Sequence, residues 1–148
     1  MDRADLDVRR HTYALLVELG RPPLIVEVAH RLDTGIAAVR SAWQRLHDTH
    51  ALVLDGDTSE IRMANPFSAV PTPHRVHAAD RDWYANCAWD AFGICAALGV
   101  DGVITTACPD CGDQLTVEVR DRTPFSDGAL LFHCLVPAAH WWDDIVFT

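Results

Sequence analysis

The stretch Thr34-Gly35-Ile36-Ala37-Ala38-Val39-Arg40-Ser41-Ala42-Trp43-Gln44-Arg45-Leu46-His47 places Ile36, Val39, Trp43 and Leu46 on one face of a helix, with Thr34 as its N-cap. Two strand-like segments follow, Ala51–Leu54 and Glu60–Met63, on either side of the hairpin signal Asp55-Gly56-Asp57. Upstream, His11–Leu19 is apolar at Tyr13, Leu15, Leu16 and Leu19 and stops at Gly20, ahead of Pro22 and Pro23. Between them, Leu24–Leu32 sets Ile25, Val28, Ala29 and Leu32 at helical spacing. Three helices followed by a hairpin is the order of a winged helix-turn-helix, so residues 1–65 are expected to form a module of that kind.

Downstream, Asn65–His77 contains Pro66, Pro71 and Pro73 and reads as a linker, bounded at 66–77. A second unit, 78–148, then begins with Asp80 and Asp82 at a helix start, where acids suit the dipole. The helix is expected from Trp83 to Leu98, ended by Gly99, with Tyr84, Ala88, Ala91, Phe92 and Cys95 as its apolar stripe. Strands are expected at Val103–Ala107, Gln114–Arg120, Ala129–Val136 and Ile145–Thr148. The fold class is therefore α+β: a three-helix winged module, then a helix packed on a small, mostly antiparallel sheet.

Composition narrows the function. The 148 residues include 12 Arg, no Lys and 21 acids, for a net charge of −9. The deficit lies almost wholly in residues 76–148, which makes that half a poor surface for phosphates. The near-neutral N-terminal half permits DNA contact through Arg40, Ser41, Gln44 and Arg45 without arguing for it, and a solvated helix face is the plainer reading. No apolar run approaches the roughly 18 residues needed to span a bilayer, and the first residues are no signal peptide. A soluble, cytoplasmic protein without a membrane partner is expected.

All five cysteines, Cys87, Cys95, Cys108, Cys111 and Cys134, lie in the second half. An odd number without an export signal argues for thiol or metal chemistry, or simple packing, over a disulfide framework. Cys87 and Asp90 are three residues apart, so a helix would set thiol and carboxylate on one face. A soft thiolate for a metal beside a proton-bearing acid is a coherent pair, although a packed cysteine and a solvated aspartate would look the same. Cys108-Pro109-Asp110-Cys111-Gly112 has the shape of a zinc knuckle. A closed zinc site there needs two more ligands, from among Cys134, His133, Cys95 and His140.

The segment Arg81-Asp82-Trp83-Tyr84-Ala85-Asn86-Cys87-Ala88-Trp89-Asp90-Ala91-Phe92 resembles the alkylmercury (organomercurial) lyase family, whose distinctive element is Cys-Ala-x-Asp on a helix behind a winged-helix-like region. The similarity continues through Thr105–Val119 and Leu135-Val136-Pro137. The resemblance implies that Cys87 binds the mercury of R–Hg–X and that Asp90 protonates the leaving carbon, giving a hydrocarbon and Hg(II). Small thiols would act as partners, and no organic cofactor is implied. The family's second thiol would fall just beyond Thr148, so mercury capture with little turnover is expected of residues 1–148. Two other functions fit the pattern: a metal- or thiol-responsive winged-helix DNA-binding regulator, and a relative that keeps the lyase fold without the activity.

Overall fold

A computed structural model of the chain describes residues 2–134 and 136–145. Helix α1 spans Arg3–Leu19, starting eight residues before the apolar pattern does. Its polar first turn is held by a capping box, in which the Asp2 side chain accepts from the Asp5 N–H at 2.8 Å. Helices α2 (Ile25–Arg31) and α3 (Ile36–Asp48) follow; Gly35, not Thr34, is the N-cap of α3. The Thr34 N–H is instead spent on the Ala29 carbonyl, at 3.0 Å. Trp43 is fully buried, and its indole N–H donates to Thr12 Oγ1 at 3.0 Å, which pins α3 to α1.

Strands β1 (Val53–Leu54), β2 (Ile61–Ala64) and β3 (Phe67–Ser68) make a three-stranded antiparallel sheet in that order. The element order of this half, helices and then a hairpin, is the one expected. The Asn65–His77 stretch, expected to be a linker, is built into the fold instead. It contributes β3 and most of β4 (Arg75–Ala78), and it buries Phe67 and Val76. Alternating burial across a pairing edge outweighs three prolines, because those prolines sit outside the strands.

A larger correction concerns the expected Trp83–Leu98 helix. Arg81–Tyr84 is strand β5, paired antiparallel with β4 across a turn in which Ala79 and Asp80 have positive φ. Trp83 is buried there, with its indole N–H on the Ala78 carbonyl at 3.0 Å and its ring against Phe67. An aromatic pair fits either period, and tertiary pairing decided it for the strand. The helix, α4, runs only from Ala88 to Leu98; its buried face is Ala91, Ile94 and Cys95.

The second sheet is completed by β6 (Gly102–Ala107), β7 (Gln114–Arg120) and β8 (Thr123–Phe125), in the order β5-β4-β6-β7-β8, with every neighbouring pair antiparallel. Helix α4 packs on β4 and β6. Of the expected strand Ala129–Val136, residues 129–134 and 136 join no sheet, residue 135 lies outside the described ones, and Leu131 is 95% exposed. Of the strand expected at Ile145–Thr148, Ile145 lies in a turn, and the last three residues fall outside the described ones. A 3₁₀ helix at Ala138–Asp143 precedes it. One hydrophobic core runs through both halves, from Leu16, Val28 and Trp43 through Phe67 and Trp83 to Ile94, Ile104 and Val117. No helix among the described residues is long and apolar enough to cross a membrane.

Candidate functional site

Ala85, just after β5, fixes where the site begins. Its N–H donates to the His74 carbonyl at 2.9 Å, its carbonyl accepts from Thr72 Oγ1 at 2.7 Å, and it bridges to Phe67. Two residues later the chain turns into α4. Cys87 is the N-cap, in extended conformation (φ −149°, ψ 179°), and Asp90 lies in the first helical turn. The pair therefore shares a helix start, with Cys87 outside the helix proper. The difference is chemical: an N-cap thiol looks onto free N–H groups and the positive end of the helix dipole, which favour thiolate.

Burial pushes the half-buried Cys87 thiol above its ordinary pKa, and the backbone N–H groups of Asp90 and Trp89 oppose that rise. Burial also raises the Asp90 carboxyl, against a hydrogen bond from Asn86. Asn86 Nδ2 donates to Asp90 Oδ2 at 2.8 Å, to Asn65 Oδ1 at 3.0 Å and to the Pro66 carbonyl at 3.3 Å. Asn86 Oδ1, in contrast, is buried with no hydrogen-bond partner. From α1, Tyr13 donates its hydroxyl to the Asn65 carbonyl at 2.9 Å, under a stacked Arg9 guanidinium. Burial raises the Tyr13 pKa, and the negative charge of Asp90 adds to this. The site thus joins α1, the turn after β2, and α4. Neither Asn86 nor Tyr13 carries a spacing signal in the sequence; Tyr13 reaches Asn65 across 52 residues.

An apolar groove of about 780 Å³ runs along α4, lined by Trp89, Phe92, Gly93, Val119 and Phe132 among others. It begins at Trp89, the residue between Ala88 and Asp90, and the Trp89 and Phe132 rings meet edge to face at 5.9 Å.

The other cysteines are dispersed. Cys95 is buried in α4, against β6. Cys134 is exposed, two residues past Phe132, with its thiol on the Val136 carbonyl at 3.2 Å. Cys108 and Cys111 occupy the β6–β7 turn. The backbone N–H groups of Cys111 and Asp110 and the Cys111 thiol approach the Cys108 sulfur and hold its pKa below the ordinary thiol range. His133 is exposed, and His140 is held by Asp143 at 3.0 Å. The four-ligand zinc site considered from the sequence is not assembled: no three metal-ligating side chains cluster among the described residues.

The α3 face is partly occupied from within. Arg45 makes a charge-assisted pair with the buried Asp5, at 2.6 Å, and Gln44 donates to Asp48 at 2.9 Å. Arg40 and Ser41 remain exposed.

Fold and site together define a class: an α+β protein with a cysteine–aspartate pair at a helix start, beside an antiparallel sheet. The family described as MerB, alkylmercury lyase, matches residues 67–148, more than half of the sequence. The chain belongs to the alkylmercury lyase family. No curated protein sequence matches it. Among solved structures, the mercury-bound form of MerB2 superposes with a TM-score of 0.66 over 82% of this chain, at 21% identity, a likeness of fold. The chain spans 58% of the length of that structure.

Proposed function

We propose that the protein is an organomercurial lyase, with Cys87 as the mercury-binding thiolate and Asp90 as the proton donor to carbon. The observation that carries this reading is the helix start: an N-cap thiol and a half-buried acid in the first turn, in a member of this family. In the first step the Cys87 thiolate displaces X⁻ from R–Hg–X and forms the S–Hg bond. Sulfur donation then increases carbanion character at the Hg–C carbon. Protonated Asp90 delivers its proton to that carbon as the Hg–C bond breaks, so R–H leaves and the carboxylate remains beside Hg(II). Small thiols in solution carry Hg(II) away. A further thiolate would strengthen the push on the Hg–C bond. Asn86 orients Asp90, and the groove beginning at Trp89 suits the organic group R.

The test is hydrocarbon released from methylmercury in excess small thiol. We expect slow methane release from the unsubstituted chain and none above background from Cys87→Ser, because a hydroxyl is a harder ligand and stays protonated near neutral pH. Equal methane from both would overturn the assignment.

A further inference from the structure

The β6–β7 turn carries chemistry that the proposed reaction does not use. Strands β6 and β7 pair in register out to Ala107↔Gln114, and the six residues between them fold back tightly. The Cys108 N–H donates to the Asp113 carbonyl at 2.8 Å, and the Gly112 N–H donates to the Cys108 carbonyl at 2.9 Å. Gly112 has φ +79°, a conformation that side chains resist, so the turn closes directly after Cys111. Both cysteines are free; Cys108 is half-buried and Cys111 exposed. Metal knuckles are built in this way, with two sulfurs of a Cys-x-x-Cys turn converging and turn amides directed at the first.

We infer that Cys108 and Cys111 form a second, solvent-open dithiol site, which chelates a thiophilic d¹⁰ cation such as Hg(II) independently of Cys87. Two sulfurs meet the demand of a cation that accepts near-linear two-coordination, whereas a closed zinc site would need ligands that are not clustered here. On binding, two S–metal bonds form and two small thiolates leave the cation, taking up the protons of Cys108 and Cys111 to depart as thiols.

The place of this turn in the sheet gives the site its interest. His74 accepts from Ala85 N–H through its carbonyl, and its Nδ1 is 2.8 Å from Thr106 Oγ1. Cys87 lies two residues past Ala85, and Cys108 two residues past Thr106. Both thiol positions therefore leave the same end of the sheet, separated by the two inter-strand spacings β5–β4–β6, on the order of 10 Å. A cation released at Cys87 would thus find a chelating pair at the same end of the sheet.

The test uses the full, reduced chain carrying Cys87→Ser, equilibrated with Hg(II) in excess monothiol, with bound mercury read by native mass spectrometry. We expect this chain to hold one mercury, and the affinity to fall roughly ten-fold or more when Cys108→Ser and Cys111→Ser are added, because a chelate is lost. No mercury on Cys87→Ser, or undiminished binding after the two further substitutions, overturns the site. A measurement on the unsubstituted chain guards against misfolding: a trivalent arsenical, phenylarsine oxide, should bridge Cys108 and Cys111 within a single peptide, and Hg(II) should block it. Absence of that bridge also overturns the site. Failure of the lyase reading would appear separately, as missing methane from a Cys108→Ser, Cys111→Ser chain that retains Cys87.

Discussion

The Asn86 side-chain amide donates to the Asp90 carboxylate at 2.8 Å, and the same nitrogen reaches Asn65 Oδ1 at 3.0 Å. One amide thus ties the first turn of α4 to the turn after β2 and fixes where the acid sits. Burial and this hydrogen bond pull the acid in opposite directions: burial keeps the proton on, and Asn86 helps take it off.

Separating capture from bond cleavage is the first expectation. Asp90→Asn should leave mercury bound at Cys87, because the thiolate is intact, while hydrocarbon release slows by about 10²–10⁴-fold, the usual range for loss of a general acid. Bound mercury and headspace methane measured on one sample check this; full-rate methane from the variant would remove Asp90 from the proton step.

The pH profile follows from the two raised groups. In the proposed reaction cleavage requires Cys87 as thiolate and Asp90 protonated, and the acid loses its proton first, so kcat/KM should rise through the Asp90 pKa, level off, and fall through that of Cys87. Asn86→Ala removes the hydrogen bond that favours the charged acid, so the acid limb should move to higher pH. An acid limb that stays in place would separate it from Asp90.

Gly102 on β6 has no room for a side chain. A Cβ there would lie 2.8 Å from Cys95 Sγ, 2.9 Å from the His77 carbonyl and 3.1 Å from Ala78 Cβ. Gly102→Ala should destabilise the protein by about 1–3 kcal/mol, the scale of overpacking, as α4 is pushed off the sheet. Denaturant midpoints would register the change, and an unchanged midpoint would show that the sulfur yields freely.

Acid sensitivity should arise in part at the start of α2. The Arg21 guanidinium grips Glu27 at 2.7 and 2.9 Å, and with the Leu24 N–H it lowers the Glu27 pKa from 4.5 to about 2. A depressed carboxylate stabilises the fold above its unfolded pKa, and that contribution disappears as pH falls toward 2. Glu27→Gln should therefore lower Tm near neutral pH, by an amount limited by solvent around Arg21, and the gap should close between about pH 4.5 and 2. A gap that persists at pH 2 would point to packing instead of charge.

Local signals carried the helical half well, because Val39, Trp43 and Leu46 recur at a period that only a helix buries on one side. The site was legible in part: Cys87 and Asp90 stood out by residue type, but the geometry that joins them is that of a cap, which a helix-face argument does not foresee. Trp83 and Tyr84 misled for a physical reason, since their strand state depends on β4, on Phe67 and on a positive-φ turn at Ala79 and Asp80. Asn86, Asn65 and Tyr13 were beyond reach, because each matters only through contacts made across the fold.

The family match begins at Phe67, which is also the first residue of β3, and β3 takes its hydrogen bonds from β2 through Ala64↔Phe67 and Met63↔Ser68. The residues that the family model matches and the unit that can exist alone in water are thus different objects. A fragment starting at Phe67 would keep every cysteine yet present a bare strand edge and an uncovered aromatic ring to its neighbours in solution, an invitation to self-association. The first 66 residues are thus as much a cover for the β3 edge as a module in their own right.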